Sequence, residues 1–242
     1  MSLDLADFYG RVAARFGEGL AELPEPLRAR AADYRVAPFA SDPETTLRPG
    51  PLYVVSMKPR ARRGGRYPYG WDERRERPGL HRWFDGEAAR GNFVREATAL
   101  LRGAMAREGI DGWAPREVFN TYATFWRAED ARQLRAFGLA NVDCAAFHAE
   151  LLATVRPRLI LAIGNGPAPS ALATLRHAAS GLGGDAEPLT VREVAPRTYV
   201  KTYRAAAAWL ALGERCRVVA VPHLSYVRAA TLLAGWEADP AR

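Results

Sequence analysis

Apolar residues at Leu5, Phe8, Val12 and Phe16 recur every three or four positions, which places them on one face of a helix over residues 3–21. Pro24 and Pro26 end that helix, and Pro26 suits the first turn of a short second one with Leu27 turned inward. Ser41-Asp42-Pro43 and Arg48-Pro49-Gly50-Pro51 are turn sequences. Beyond them the helical spacing gives way to a continuous apolar run, Leu52-Tyr53-Val54-Val55. Residues 159–163 (Leu-Ile-Leu-Ala-Ile) and 218–221 (Val-Val-Ala-Val) repeat this pattern. Runs this short, closed by glycine, proline or polar residues, predict strands buried on both faces, as in a parallel sheet.

Between the runs the helical spacing returns. Asn92 is placed to cap a helix whose inner face is Phe93, Ala97, Leu100, Leu101 and Ala104, and Gly109 stops it. A second helix starts at Asp143, passes through Phe147, Leu151 and Leu152, and closes at Arg156-Pro157. Further helices are predicted over 169–177, over 205–212 and at the end of the chain through Leu233. Val118-Phe119 reads as a short strand that yields to the polar and aromatic stretch 120–127. Residues 188–194 and 198–203 read as weaker strands or extended connectors, separated from the preceding helix by a glycine-rich turn at 181–184. Strands alternating with helices predict an α/β fold of three layers, α/β/α, with a mainly parallel central sheet. A chain of 242 residues fits one such domain, with residues 1–48 as an N-terminal helical extension packed on it.

Composition narrows the class. The apolar share of 48% is that of a globular protein. No apolar run approaches the ~20 residues that cross a bilayer, so no membrane partner is expected. Residues 1–23 lack the basic start and apolar centre of a secretory signal, which makes the cytoplasm the expected location. Two cysteines, Cys144 and Cys216, are too few for a four-cysteine metal site, and no metal or organic cofactor is expected. A formal charge of +7 and a pI near 9.8 favour a polyanionic partner such as nucleic acid. Only Lys58 and Lys201 among the 34 basic residues are lysines, so the excess is carried by arginine and each lysine stands out.

The chemistry collects at strand ends. The run at 52–56 breaks into Ser56-Met57-Lys58-Pro59 and then into a loop over 60–90 carrying Arg60, Arg62, Arg63, Arg66, Tyr67, Tyr69, Trp71, His81, Trp83 and Phe84. A loop of this length rich in aromatics reads as a binding loop. The other ends are Asn120-Thr121, Gly164-Asn165-Gly166 and His223-Leu224-Ser225. In a parallel sheet all four lie along one edge, where an open α/β sheet binds its ligand. Gly164-Asn165-Gly166 is followed by Pro167-Ala168-Pro169 and fits neither the dinucleotide-binding fingerprint nor a phosphate-binding loop.

The order of these four ends resembles the uracil-DNA glycosylase superfamily, and most nearly the single-strand-selective monofunctional uracil glycosylases. The resemblance spans residues 50–235. Their first motif, Gly-Met-Asn-Pro-Gly, corresponds to Ser56-Met57-Lys58-Pro59-Arg60, their base-reading asparagine to Asn120, and their His-Pro-Ser loop to His223-Leu224-Ser225. The resemblance implies a monomer acting on a damaged base in single- or double-stranded DNA, flipping the base out and excising uracil or another deaminated base. It also implies residue roles. Asn120 would read the base edge, with Ser56, Met57 and Pro59 shaping the pocket and Tyr67 or Trp71 stacking on the ring. His223 would donate to the departing base. Arg60, Arg62, Arg63, Arg66, Ser225, Tyr226 and Arg228 would hold the DNA, with the 226–228 loop in the minor groove.

Three positions depart from the family pattern: Ser56 replaces a glycine, Leu224 a proline, and Lys58 the water-activating asparagine or aspartate. An unprotonated Lys58 is able to attack the sugar and form a Schiff base, giving lyase character. A protonated Lys58 would bind phosphate with hydrolysis lost. The sequence therefore also admits a catalytically lapsed protein that binds damaged or single-stranded DNA, and a small-molecule α/β enzyme in which Lys58 and the arginine loop hold a nucleotide.

Overall fold

The computed structural model describes residues 3–32, 36–59, 92–136, 144–181, 190–195, 198–205 and 216–237. Six strands form one mixed sheet: β1 (Leu52–Ser56), β2 (Phe119–Tyr122), β3 (Leu159–Ile163), β4 (Thr190–Ala195), β5 (Thr198–Ala205) and β6 (Cys216–Val221). Their order is β2-β1-β3-β6-β5-β4. β2, β1, β3 and β6 are parallel, whereas β5 is antiparallel to β6 and β4 antiparallel to β5. The protein is therefore α/β with a mostly parallel sheet, widened on one side by an antiparallel pair. Helices α1 (Leu5–Ala21), α2 (Glu25–Ala32) and α3 (Pro43–Thr46) precede β1, and α4 (Asn92–Arg107) precedes β2. Then come α5 (Ala131–Ala136), α6 (Ala145–Val155), α7 (Ala171–Gly181) and α8 (Ala229–Ala234). Among the described residues no helix is long and apolar enough to cross a membrane.

The apolar runs become strands because both faces of the sheet are covered. Tyr53, Val55, Ile160, Ala162, Val218 and Ala220 point into one core with Phe8, Val12 and Phe16 of α1, Phe147 and Leu151 of α6, and Leu172 and Leu175 of α7. Leu52, Val54, Leu159, Leu161, Val219 and Val221 point the other way, onto Ala97, Leu100 and Leu101 of α4 and Leu232 of α8. Period-two alternation is thus present in the side-chain directions but invisible in the sequence, since both sets are apolar. Asp4 starts α1 by accepting from the N–H groups of Ala6 and Asp7 at 2.9 and 3.1 Å.

Several predicted elements shift. Asn92 is the first residue of α4 rather than its cap, and its carboxamide oxygen instead accepts from Arg95. Ser41-Asp42-Pro43 opens the short helix α3, with Asp42 accepting from the Glu44 N–H at 3.0 Å and Pro43 in the first turn. Residues 190–195 and 198–205 are strands, so Ala205 ends β5 instead of starting a helix. The rest of the predicted 205–212 helix lies outside the described residues. So does Asp143, and α6 begins after Cys144.

The N-terminal segment joins the sheet as well as covering it. Phe39 bridges antiparallel to Thr121 and Val36 to Trp126, so residues 36–41 run along the outer edge of β2. This strap shields an edge that would otherwise present unpaired backbone groups.

A buried histidine ties two elements behind the strand ends. His148 of α6 is fully buried, 2.9 Å from the Tyr53 hydroxyl through Nδ1 and 3.0 Å from the Ala123 carbonyl through Nε2. A carbonyl only accepts, so Nε2 carries the proton and Nδ1 accepts from Tyr53. Burial lowers the His148 pKa from 6.5 to about 4, against the raising effect of backbone bonds to Ala123 and Tyr122. The folded protein thus binds fewer protons than the unfolded chain between these values. Stability from this group is fully present above pH 6.5 and is lost as pH falls towards 4, on the order of 3 kcal/mol in all. Urea unfolding at a series of pH values should show this slope, and His148→Gln should flatten it. An unchanged slope in the variant would contradict the assignment.

Candidate functional site

The strand order reverses between β1 and β3. β1 leads through α4 to β2 on one side, and β3 leads onward to the strands on the other. The helices that follow them, α4 and α7, lie on opposite faces. Such a reversal opens a crevice at the carboxyl ends of the two strands. Here those ends are Ser56 and Ile163, directly paired with each other, and level with Tyr122 of β2 and Val221 of β6.

On the β1 side the chain leaves the sheet tightly laced to the loop after β2. The Ser56 carbonyl accepts from the Ala123 N–H at 2.6 Å and the Met57 carbonyl from the Thr124 N–H at 3.1 Å. Lys58 completes the lacing through its side chain: Nζ donates to the Ala128 carbonyl and, at 3.3 Å, to the Glu129 carbonyl. Ser56 is buried, and its hydroxyl donates to the Thr121 carbonyl at 3.4 Å, so this side chain is engaged by the neighbouring strand. Met57 is half-buried and Pro59 buried. On the β3 side Gly164 turns the chain with φ of 127°, a conformation that L side chains rarely adopt. Its N–H donates to the Val221 carbonyl at 2.8 Å, holding the β3 and β6 ends together.

Asn120 lies inside β2 and not at its end, because the strand continues through Thr121 and Tyr122. It is paired with Val54, which sets its side chain on the α4 and α8 face. Its backbone is fixed by the strap: the N–H donates to Ser41 Oγ at 2.8 Å, and the carbonyl accepts from the N–H groups of Ala40 and Ser41 at 2.9 and 3.1 Å. The side chain is the opposite case. Asn120 has no exposed surface, yet neither Oδ1 nor Nδ2 has a hydrogen-bond partner among the described residues. Trp126 Nε1 is orphaned in the same way, but its ring is in the other core, stacked on Phe16 at 5.1 Å. Buried polar atoms are nearly always paired, and an unpaired carboxamide costs about 1–3 kcal/mol per group.

His223 stands on the same face, after β6. Its ring stacks on Phe93 of α4 with centroids 4.9 Å apart and meets the Tyr226 ring edge-on at 6.1 Å. The Ser225 N–H donates to Nδ1 at 3.3 Å, which leaves the proton of a neutral ring on Nε2. Burial lowers its pKa first, and the positive charge of Lys58 lowers it further, so the ring is uncharged at neutral pH. β1 and β3 lie between β2 and β6, which sets those two strands about three spacings or roughly 14 Å apart, and His223 stands four residues beyond Val219, the β6 residue level with Asn120. Ser225 and Arg228 are exposed, and Tyr226 is 88% exposed despite its size.

No protein-family model, no curated protein and no solved structure matches the chain. The site must therefore be judged on its own residues. Lys58, Gly164 and His223 follow strand ends at the carboxyl edge of the sheet, whereas Asn120 lies two residues inside it. Arg60, Arg62, Arg63, Arg66, Tyr67 and Trp71 lie outside the described residues. The strap residue Ser41 and the lysine-holding carbonyls of Ala128 and Glu129 were not anticipated from the sequence. An open cleft of about 430 Å³ lined by Trp113, Arg156 and Arg158 sits at the other end of the sheet, beside the starts of β1 and β3, and includes none of the strand-end residues.

Proposed function

We propose that the protein is a metal-independent DNA glycosylase of the uracil-DNA glycosylase type, a monomeric cytoplasmic domain with that family's three-layer arrangement. The observation that carries this reading is the buried Asn120 carboxamide, both of whose polar atoms are unpartnered among the described residues. A carboxamide offers a donor pair and an acceptor, which match the O4 and N3–H edge of a uracil ring or the corresponding edge of another deaminated base. His223 supports the same reading. An uncharged ring with its proton on Nε2 is a donor suited to O2 of a base that gathers negative charge as it leaves. Exposed Tyr226 beside His223 offers an apolar wedge for the gap left by a flipped base, and Arg228 a phosphate contact.

Oligonucleotides carrying uracil, hypoxanthine or xanthine, single- and double-stranded, should break at the modified position on alkali treatment after incubation with the protein. Intact strands for every substrate would refute glycosylase activity. Lys58 at the family's water-activating position favours a second reading, a lapsed member that binds damaged DNA. That reading predicts salt-sensitive binding with no base release.

A further inference from the structure

Lys58 is the residue that the family pattern leaves without a role. Its ammonium is not loose. It is held on the main-chain carbonyls of Ala128 and Glu129, on a loop itself bonded to Ser56 and Met57. Two carbonyl acceptors match a charged ammonium and fix its position, since charge-assisted bonds are stronger than neutral ones. A nucleophilic lysine needs the reverse, an unprotonated nitrogen whose lone pair reaches the sugar. The charge also bears on the neighbouring site groups: it acts on His223 and on the Asp130 carboxylate. Asp130 is engaged elsewhere, accepting from the Gln133 N–H at 2.7 Å.

We infer that Lys58 is a fixed positive charge of the site, anchored on Ala128 and Glu129, that stabilises the departing base together with His223 and forms no bond to the sugar. The inference rests on the glycosylase reading. In the step it describes, the bond between the sugar C1′ and the base nitrogen breaks, and its electron pair leaves with the base. The resulting negative charge is shared with O2, which accepts from His223 Nε2–H in the field of Lys58. Solvent water adds its oxygen to C1′, and its surplus proton passes to solvent. The products are a free base and an intact abasic strand, with no Schiff base and no lyase cleavage. The charge has a second consequence. A positive charge acting on His223 opposes protonation of the ring and so preserves it as a neutral donor. Among the described residues Phe93 stacks on the ring and Tyr226 meets its edge, while the charged groups that follow Phe93 on α4 are committed, Arg95 to Asn92 and Glu96 to the Ala229 N–H.

The test compares the wild-type protein with Lys58→Met and Lys58→Arg. Base release from a uracil oligonucleotide should fall by ~100-fold in Lys58→Met. Lys58→Arg, which keeps the charge, should recover a substantial part of it, and borohydride should trap no protein–DNA adduct in any of the three. An adduct with the wild-type protein that is absent from Lys58→Arg, or equal rates in wild-type and Lys58→Met, would overturn the inference. Nitrogen-15 NMR titration of His223 in the free protein gives a readout that needs no activity and also reports whether each variant is folded. The His223 pKa should rise in Lys58→Met and stay low in Lys58→Arg; no rise in Lys58→Met overturns the charge pairing. If no substrate releases base, the glycosylase reading fails by itself, and the titration alone decides whether Lys58 acts on His223.

Discussion

Asn120→Leu should produce a more stable protein that no longer selects a damaged base. The two effects have one cause. Asn120 is fully buried with both carboxamide atoms unpaired among the described residues, so leucine of similar volume removes two desolvated polar groups and adds apolar contact with the core around Val54. Relief of this kind is worth about 1–3 kcal/mol, or a rise in Tm of several degrees for a domain of this size. The same substitution removes the donors and acceptor that the site offers a base. A site built on hydrogen bonds loses its discrimination when they go, and base release should fall by ~100- to 1000-fold. Differential scanning calorimetry and a single-turnover release assay check the two signs. A variant that is both destabilised and fully active would mean that the amide is structural.

Glu108→Ala should cost about 3 kcal/mol without touching the site. Glu108 follows α4 and is almost fully buried. One of its oxygens, Oε1, accepts from Arg217 Nη1 and, at 2.9 Å, from Trp236 Nε1. Arg217 in turn donates to the Glu237 carbonyl at 2.7 Å, so the carboxylate ties α4, the start of β6 and the C-terminal segment together. Alanine leaves a largely buried guanidinium without its counter-charge and an indole N–H without an acceptor. Breaking a buried pair from one side is far more costly than the pair's net contribution suggests. Glu108→Gln keeps an acceptor for Trp236 and should lose less. Arg217 is at the far end of β6 from His223, so activity per folded molecule should be unchanged in both variants. Urea unfolding checks the order, and a loss below 1 kcal/mol for the alanine variant would contradict it.

The strands and their polar ends were legible because burial on both faces writes parallel strands as uninterrupted apolar runs. Lys58, Gly164 and His223 could be picked out for the same reason, each following a run that stops abruptly. Asn120 was harder. Asn-Thr-Tyr has no apolar run to mark it as strand, and its place in β2 depends on pairing with β1 and with Ser41, a partner 79 residues away. The anchoring of Lys58 on Ala128 and Glu129 bridges 70 residues or more and leaves no local pattern. Asp42-Pro43 carried a helix-start signal, but a helix of four residues has no apolar stripe to distinguish it from a turn. The unpaired state of the Asn120 amide among the described residues depends on how distant elements pack. No sequence pattern encodes the absence of a partner.

The central claim is that this amide reads a flipped base, and equilibrium binding tests it apart from catalysis. Affinity should be measured for two single-stranded oligonucleotides, one with a non-cleavable 2′-fluoro-deoxyuridine and one with the same nucleotide methylated at N3, which lacks the N3–H that the amide would bond. The wild-type protein should bind the uracil strand more tightly, by about 10-fold for one lost set of hydrogen bonds, and Asn120→Leu should bind both alike. Equal affinity of the wild-type protein for both strands, or a preference that survives in Asn120→Leu, would contradict it.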